Sequence, residues 1–138
     1  MKIFVLKETR PNENRVALTP TVASQFIKQG FACLVQNNAG YASNFDDEAY
    51  KNAGCSIVSV ADGFAQADIV IKVNAPTTDE VGQLKSGAIF ISYLYHLFNT
   101  DLVKQLASAG ASAFSMDAMP RISRAQSMDA LSSQNNLA

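Results

Sequence analysis

Three times in this chain a helical pattern stops on a glycine that leads straight into a short β-rich run: Gly30-Phe31-Ala32, Gly54-Cys55-Ser56 and Gly110-Ala111-Ser112. Glycine tolerates the left-handed backbone that closes a helix, so each triplet reads as helix stop followed by strand start. Such runs recur at residues 3–6, 32–35, 56–58, 68–73, 88–93 and 112–115. They are too apolar to leave one face in water. Strands that alternate with helices and are buried on both faces predict an α/β fold: a three-layer, doubly wound, mostly parallel sheet of flavodoxin-like or Rossmann-like type.

The helix starts carry their own signals. Thr19 is placed to cap a helix with Pro20 at its first position, and Val22, Ala23, Phe26 and Ile27 form one apolar stripe. Asp46 caps a second helix, with Phe45 and Tyr50 at staple spacing on either side. Ser59 caps a short third helix carrying Val60, Ala61 and Phe64, and Thr100 opens a fourth with Leu102, Val103, Leu106 and Ala107. From Met116 the rhythm breaks. Pro120 turns the chain, and Ser127 can cap a last helix with a thin stripe of Met128 and Leu131.

Composition narrows the function classes. Apolar residues make up 48% and charged residues 17%, which is globular, and the net charge of -1 supplies no general field for nucleic acid or an anionic membrane. The longest apolar stretch, residues 88–98, is interrupted by Ser92 and His96 and falls short of the ~20 residues a membrane span needs. The chain itself is expected to be soluble and not exported. Cys33 and Cys55 stand apart without a C-x-x-C pair, so they are expected to be reduced, buried thiols of a cytosolic protein, and no metal site is expected.

Open parallel sheets bind ligands beyond the carboxyl ends of their strands, which directs attention to the loops after Leu6, Val73, Tyr93 and Ser115. Arg15, in the first loop, can fork onto a carboxylate or phosphate, or it can pair with Glu8 or Glu13 to hold the loop, which is the simpler reading. Lys72 interrupts the apolar run Ile69-Val70-Ile71-Lys72-Val73, so it either contacts a ligand or forms a structural ion pair. His96, the lone histidine among apolar neighbours, reads first as structural. Arg121, Ser123, Arg124, Gln126, Ser127, Asp129, Ser132 and Ser133 can hold a phosphate, a ribose or a carboxamide, although a solvated helix has the same composition. There is no G-x-G-x-x-G, Walker loop, zinc spacing or nucleophile elbow. This chain alone is therefore not expected to bind a dinucleotide tightly.

The segments Lys7-Glu8, Asn14 to Pro20, Asn38-Ala39-Gly40, Phe45-Asp46-Asp47 and Ile71 to Pro76 resemble blocks of the alanine dehydrogenase and nicotinamide nucleotide transhydrogenase family's N-terminal domain. The run Met119-Pro120-Arg121 through Leu131-Ser132-Ser133 resembles the signature of the transhydrogenase branch. The resemblance implies that residues 1–120 are the N-terminal α/β domain and that 121–138 begin the segment leading to a following Rossmann domain, with NAD(H) in the cleft between the two. It further implies that Arg121, Gln126, Ser127, Asp129 and Ser132 reach the nicotinamide end of the cofactor. Hydride would pass directly to NADP(H) on another domain, coupled to proton movement through a separate membrane portion, with this subunit at the cytoplasmic side of an inner membrane. Such transfer needs no acid or base from the protein. The intact enzyme would be a homodimer, and this portion alone would be inactive. The alternatives are an alanine dehydrogenase, whose keto-acid arginine and lysine match Arg15 and Lys72 but whose histidine falls on Tyr95 with His96 one residue late, and a non-catalytic docking module.

Overall fold

A computed structural model describes residues 1–92 and 100–115. In chain order it contains β1 (Lys2–Val5), α1 (Pro20–Lys28), β2 (Ala32–Gln36), a 3₁₀ turn (Tyr41–Ser43), α2 (Asp47–Asn52), β3 (Ser56–Val58) and α3 (Val60–Gln66). It continues with β4 (Ile69–Ile71), α4 (Thr78–Gln83), β5 (Ile89–Ser92), α5 (Thr100–Ser108) and β6 (Ser112–Ser115). All six expected strands form, in the order β3-β2-β1-β4-β5-β6, and every neighbouring pair is parallel. That order is Rossmann-like, not flavodoxin-like, a choice that the sequence left open.

The caps form as their residues predict. Thr19, Asp46 and Ser59 accept from the backbone N–H of Val22, Ala49 and Asp62, each satisfying a donor that the first helical turn leaves unpaired. Gly30, Gly54 and Gly110 all take positive φ, at 100°, 101° and 75°, where a side chain would be strained. Helix α4 was not among the expected helices. It is only six residues long, and its sequence signal is the capping box Thr77…Glu80, in which both reciprocal hydrogen bonds are present.

The pleat sends alternate residues to opposite layers. Phe4, Leu34, Val70 and Phe90 pack with Phe64 of α3, Val81 of α4 and Leu106 of α5. Val5, Cys33 and Val35 pack with Ala23 of α1 and Tyr50 of α2 on the other side. Cys33 and Cys55 are free and buried in this second layer, where the Cys33 thiol reaches Ala23 O at 3.8 Å. Among the described residues no helix is long and apolar enough to cross a membrane. The first two helices serve strands on one side of β1, and α4 and α5 follow strands on the other. The winding therefore reverses between β1 and β4, and the crevice at their carboxyl ends is the switch point of the sheet.

Candidate functional site

At the switch point a dinucleotide-binding Rossmann domain makes a tight glycine turn from β1 into its first helix. Here the same connection runs through residues 6–19. Connections of that length without secondary structure are uncommon in compact domains and concentrate function. This one is fastened at several points. Leu6 N–H donates to Ile71 O at 3.2 Å, and Lys7 N–H donates to Gln36 Oε1 at 2.9 Å. The Tyr50 hydroxyl donates to Leu18 O at 2.7 Å, and the Ser43 hydroxyl donates to the Asn14 carbonyl. Burial pushes the Tyr50 phenol above its ordinary range and keeps it a donor.

A polar network crosses from the β1 loop to the β4 loop. Glu8, buried, accepts the Val73 N–H on Oε2 at 2.8 Å; its Oε1 accepts the Asn74 N–H and the Asn74 side-chain amide, each at 3.1 Å. The same Asn74 amide donates to Glu13 Oε1 at 2.8 Å, and Arg10 donates to Asn74 Oδ1 at 3.4 Å. Arg15 forks onto Glu13, with Nε on Oε2 at 2.9 Å and an Nη on Oε1 at 2.8 Å. Of the two carboxylates weighed as structural partners for Arg15, the forked one is Glu13; Glu8 is engaged by the β4 loop. Among these residues Glu8 entered the sequence reading as a possible partner of Arg15 and as part of a resembling block, and Asn74 only as part of a resembling block.

The Arg15 hydrogen bond lowers the Glu13 carboxyl from 4.5 to about 2 against the opposing effect of its burial, with the Asn74 amide adding to the lowering. A carboxyl depressed on folding stabilises the fold above its unfolded value, and that contribution disappears as pH falls through its folded value. Stability should thus decline between about pH 4.5 and pH 2. Because Arg15 is largely exposed, the contribution is discounted to about 1 kcal/mol. Denaturant titrations across this window should show the decline in the wild type and a flatter profile in Glu13→Gln.

Lys72, the other residue expected at an anion, lies on the α4 side. Its ammonium is 2.8 Å from Glu80 Oε1, and the two side chains are 3% and 11% exposed. Glu80 also accepts the Thr77 N–H at 2.8 Å, so one carboxylate both caps α4 and neutralises Lys72. Beside the network a cleft of about 290 Å³ opens, lined by Lys7, Arg15, Asn38 and Tyr41 among others, with Tyr41 71% exposed. The structure thus brings Arg15 to the switch point and turns Lys72 toward α4. Arg121, Gln126, Ser127, Asp129 and Ser132, together with Tyr95 and His96, lie outside the described residues.

A dinucleotide's diphosphate does not fit this switch point. The glycine turn is replaced by a long loop, and the backbone donors at the tip of β4 already hold Glu8. Strand order and loop together define a Rossmann-type α/β domain whose switch point is closed by its own side chains. The chain belongs to the family described as "Alanine dehydrogenase/PNT, N-terminal domain", whose model matches residues 4–138. It is 44% identical to the NAD(P) transhydrogenase subunit alpha of Haemophilus influenzae, over 99% of this chain and 27% of that one. The crystal structure of transhydrogenase from Sinorhizobium meliloti superimposes with a TM-score of 0.91 at 39% identity, covering 99% of this chain and 41% of that chain. Alanine dehydrogenase of Bacillus subtilis is 37% identical over 85% of this chain and 31% of that enzyme. The chain therefore spans well under half the length of these relatives. The family resemblance and the α/β fold expected from the sequence both hold.

Proposed function

We propose that this chain is the N-terminal part of the NAD(H)-binding subunit of a proton-translocating NAD(P) transhydrogenase. In this reading it forms one wall of a cleft whose other wall is a following Rossmann domain. The observation that carries the proposal is the similarity to a transhydrogenase alpha subunit across 99% of the chain, which takes in nearly all of the Arg121–Ser132 signature. The closed switch point supports it, because the diphosphate must then be gripped by the companion domain. What remains for this chain is placement at the nicotinamide end, by Arg121, Gln126, Ser127, Asp129 and Ser132. Arg15 faces the cleft and can meet an anion there. Lys72 pairs with Glu80, which favours the structural reading of this lysine over an anion contact and weighs against a keto-acid site of the alanine dehydrogenase kind. NADP(H) sits on a different domain, the assembly is a homodimer at the cytoplasmic side of an inner membrane, and this portion alone is inactive.

Two measurements test the reading. NADH titrated into the 138-residue chain should give no measurable binding, whereas the chain extended through its companion domain should bind; submicromolar binding by the shorter chain would refute the two-walled cleft. In the extended protein, Arg121→Ala and Gln126→Ala should slow hydride transfer to an NADP analogue about tenfold or more while NADH affinity changes less than about threefold. Unchanged turnover in both variants would remove these residues from the site.

A further inference from the structure

The carboxyl end of β4 presents two consecutive backbone N–H groups, Val73 and Asn74, to a single carboxylate. Successive amides aimed at one point make an anion-binding concavity. In a Rossmann-type sheet the switch point is where such donors meet a ligand's negative group. Here the group comes from within the chain: Glu8 leaves the tip of β1, lies 8% exposed, and receives a third donor from the Asn74 side chain. The same Asn74 amide reaches Glu13, which orients Arg15. Each carboxylate oxygen of Glu8 therefore has a donor, and the chain's own carboxylate lies where a small carboxylate ligand would otherwise lie.

We infer that the tips of β1 and β4 form a carboxylate-binding niche and that Glu8 is its tethered occupant. By filling the niche Glu8 keeps free anions off the Val73 and Asn74 amides. It also acts as a positioning residue for Asn74 and, through it, for the Glu13–Arg15 fork beside the cleft. This inference does not depend on which reaction the longer protein performs, so its failure leaves the proposed function standing, and the reverse also holds.

The test is chemical rescue of Glu8→Ala in the full chain, with sodium formate as the probe and sodium chloride at equal ionic strength as the control. In the variant, the Val73 and Asn74 amide resonances should shift saturably with formate and the thermal midpoint should recover toward that of the wild type. In the wild type neither resonance should move. Glu8→Gln, whose side chain still occupies the space and keeps one acceptor oxygen, should show a much smaller formate response than Glu8→Ala. Should Glu8→Ala be unfolded in chloride, far-UV circular dichroism becomes the readout, and refolding in formate supports the inference. Continued unfolding in formate, unmoved amides in a folded Glu8→Ala, or equal formate responses in Glu8→Gln and Glu8→Ala would each overturn it.

Discussion

Replacing Gly63 with alanine should destabilise the domain by about 3 kcal/mol, although alanine is the better helix former. On propensity alone, Gly→Ala inside a helix gains about 1 kcal/mol. The packing at Gly63 reverses the sign. A Cβ built there falls 2.3 Å from Cε1 and Cζ of Phe4, far inside contact distance. Phe4 has nowhere to retreat, being fully buried on the central strand β1 and edge-on to Phe64 at a centroid distance of 5.5 Å. Either α3 lifts off the sheet or the Phe4 ring leaves its place, and both open the layer that α3, α4 and α5 share. Urea unfolding of Gly63→Ala should show a markedly lower midpoint. The double variant Gly63→Ala/Phe4→Leu should be more stable than the sum of the two single effects, because the leucine vacates the space that the new methyl needs. Wild-type stability in Gly63→Ala would mean that α3 does not approach β1 this closely.

The contrast between Gly63 and the other glycines shows what a single sequence discloses. Gly30, Gly54 and Gly110 announce themselves through their neighbours, because a helix stop and a strand start are local events written within a few residues. Thr19, Asp46 and Ser59 are legible for the same reason. Gly63 sits inside a helical pattern, and its requirement comes from Phe4, a residue in another element. Strand order was equally hidden: a β-α-β rhythm does not say when the winding reverses, and the choice between Rossmann-like and flavodoxin-like orders is made by the β3-to-β4 crossover past β1. The site followed the same division. Arg15 and Lys72 were conspicuous as charges, and of the two structural pairings named for Arg15, with Glu8 or Glu13, the one with Glu13 forms. Glu8 and Asn74 are 66 positions apart and become partners only because β1 and β4 are neighbours. The α4 helix was missed because six residues with few apolar positions carry little periodicity, leaving only Thr77 and Glu80 to mark it.

Lys72→Met should cost about 3–5 kcal/mol, and the pattern of rescue distinguishes a structural lysine from a ligand-binding one. The Lys72 ammonium is almost wholly enclosed and 2.8 Å from Glu80. Removing it leaves the Glu80 carboxylate with the Thr77 N–H but without its countercharge. A buried charge stripped of its partner is more costly than the intact pair is stabilising, because desolvation persists after the attraction is gone. Glu80→Gln should be destabilising for the mirror-image reason, since it strands Lys72. The double variant Lys72→Met/Glu80→Gln removes both charges, and glutamine at this position still completes the capping box. It should therefore recover most of the loss, giving a large favourable coupling in a double-mutant cycle. A lysine directed at a ligand behaves differently: Lys72→Met would leave the unliganded fold nearly unchanged, and Glu80→Gln would not compensate for it. Additive costs in the cycle would show that the two side chains do not act on one another, and would return Lys72 to the set of candidate anion contacts.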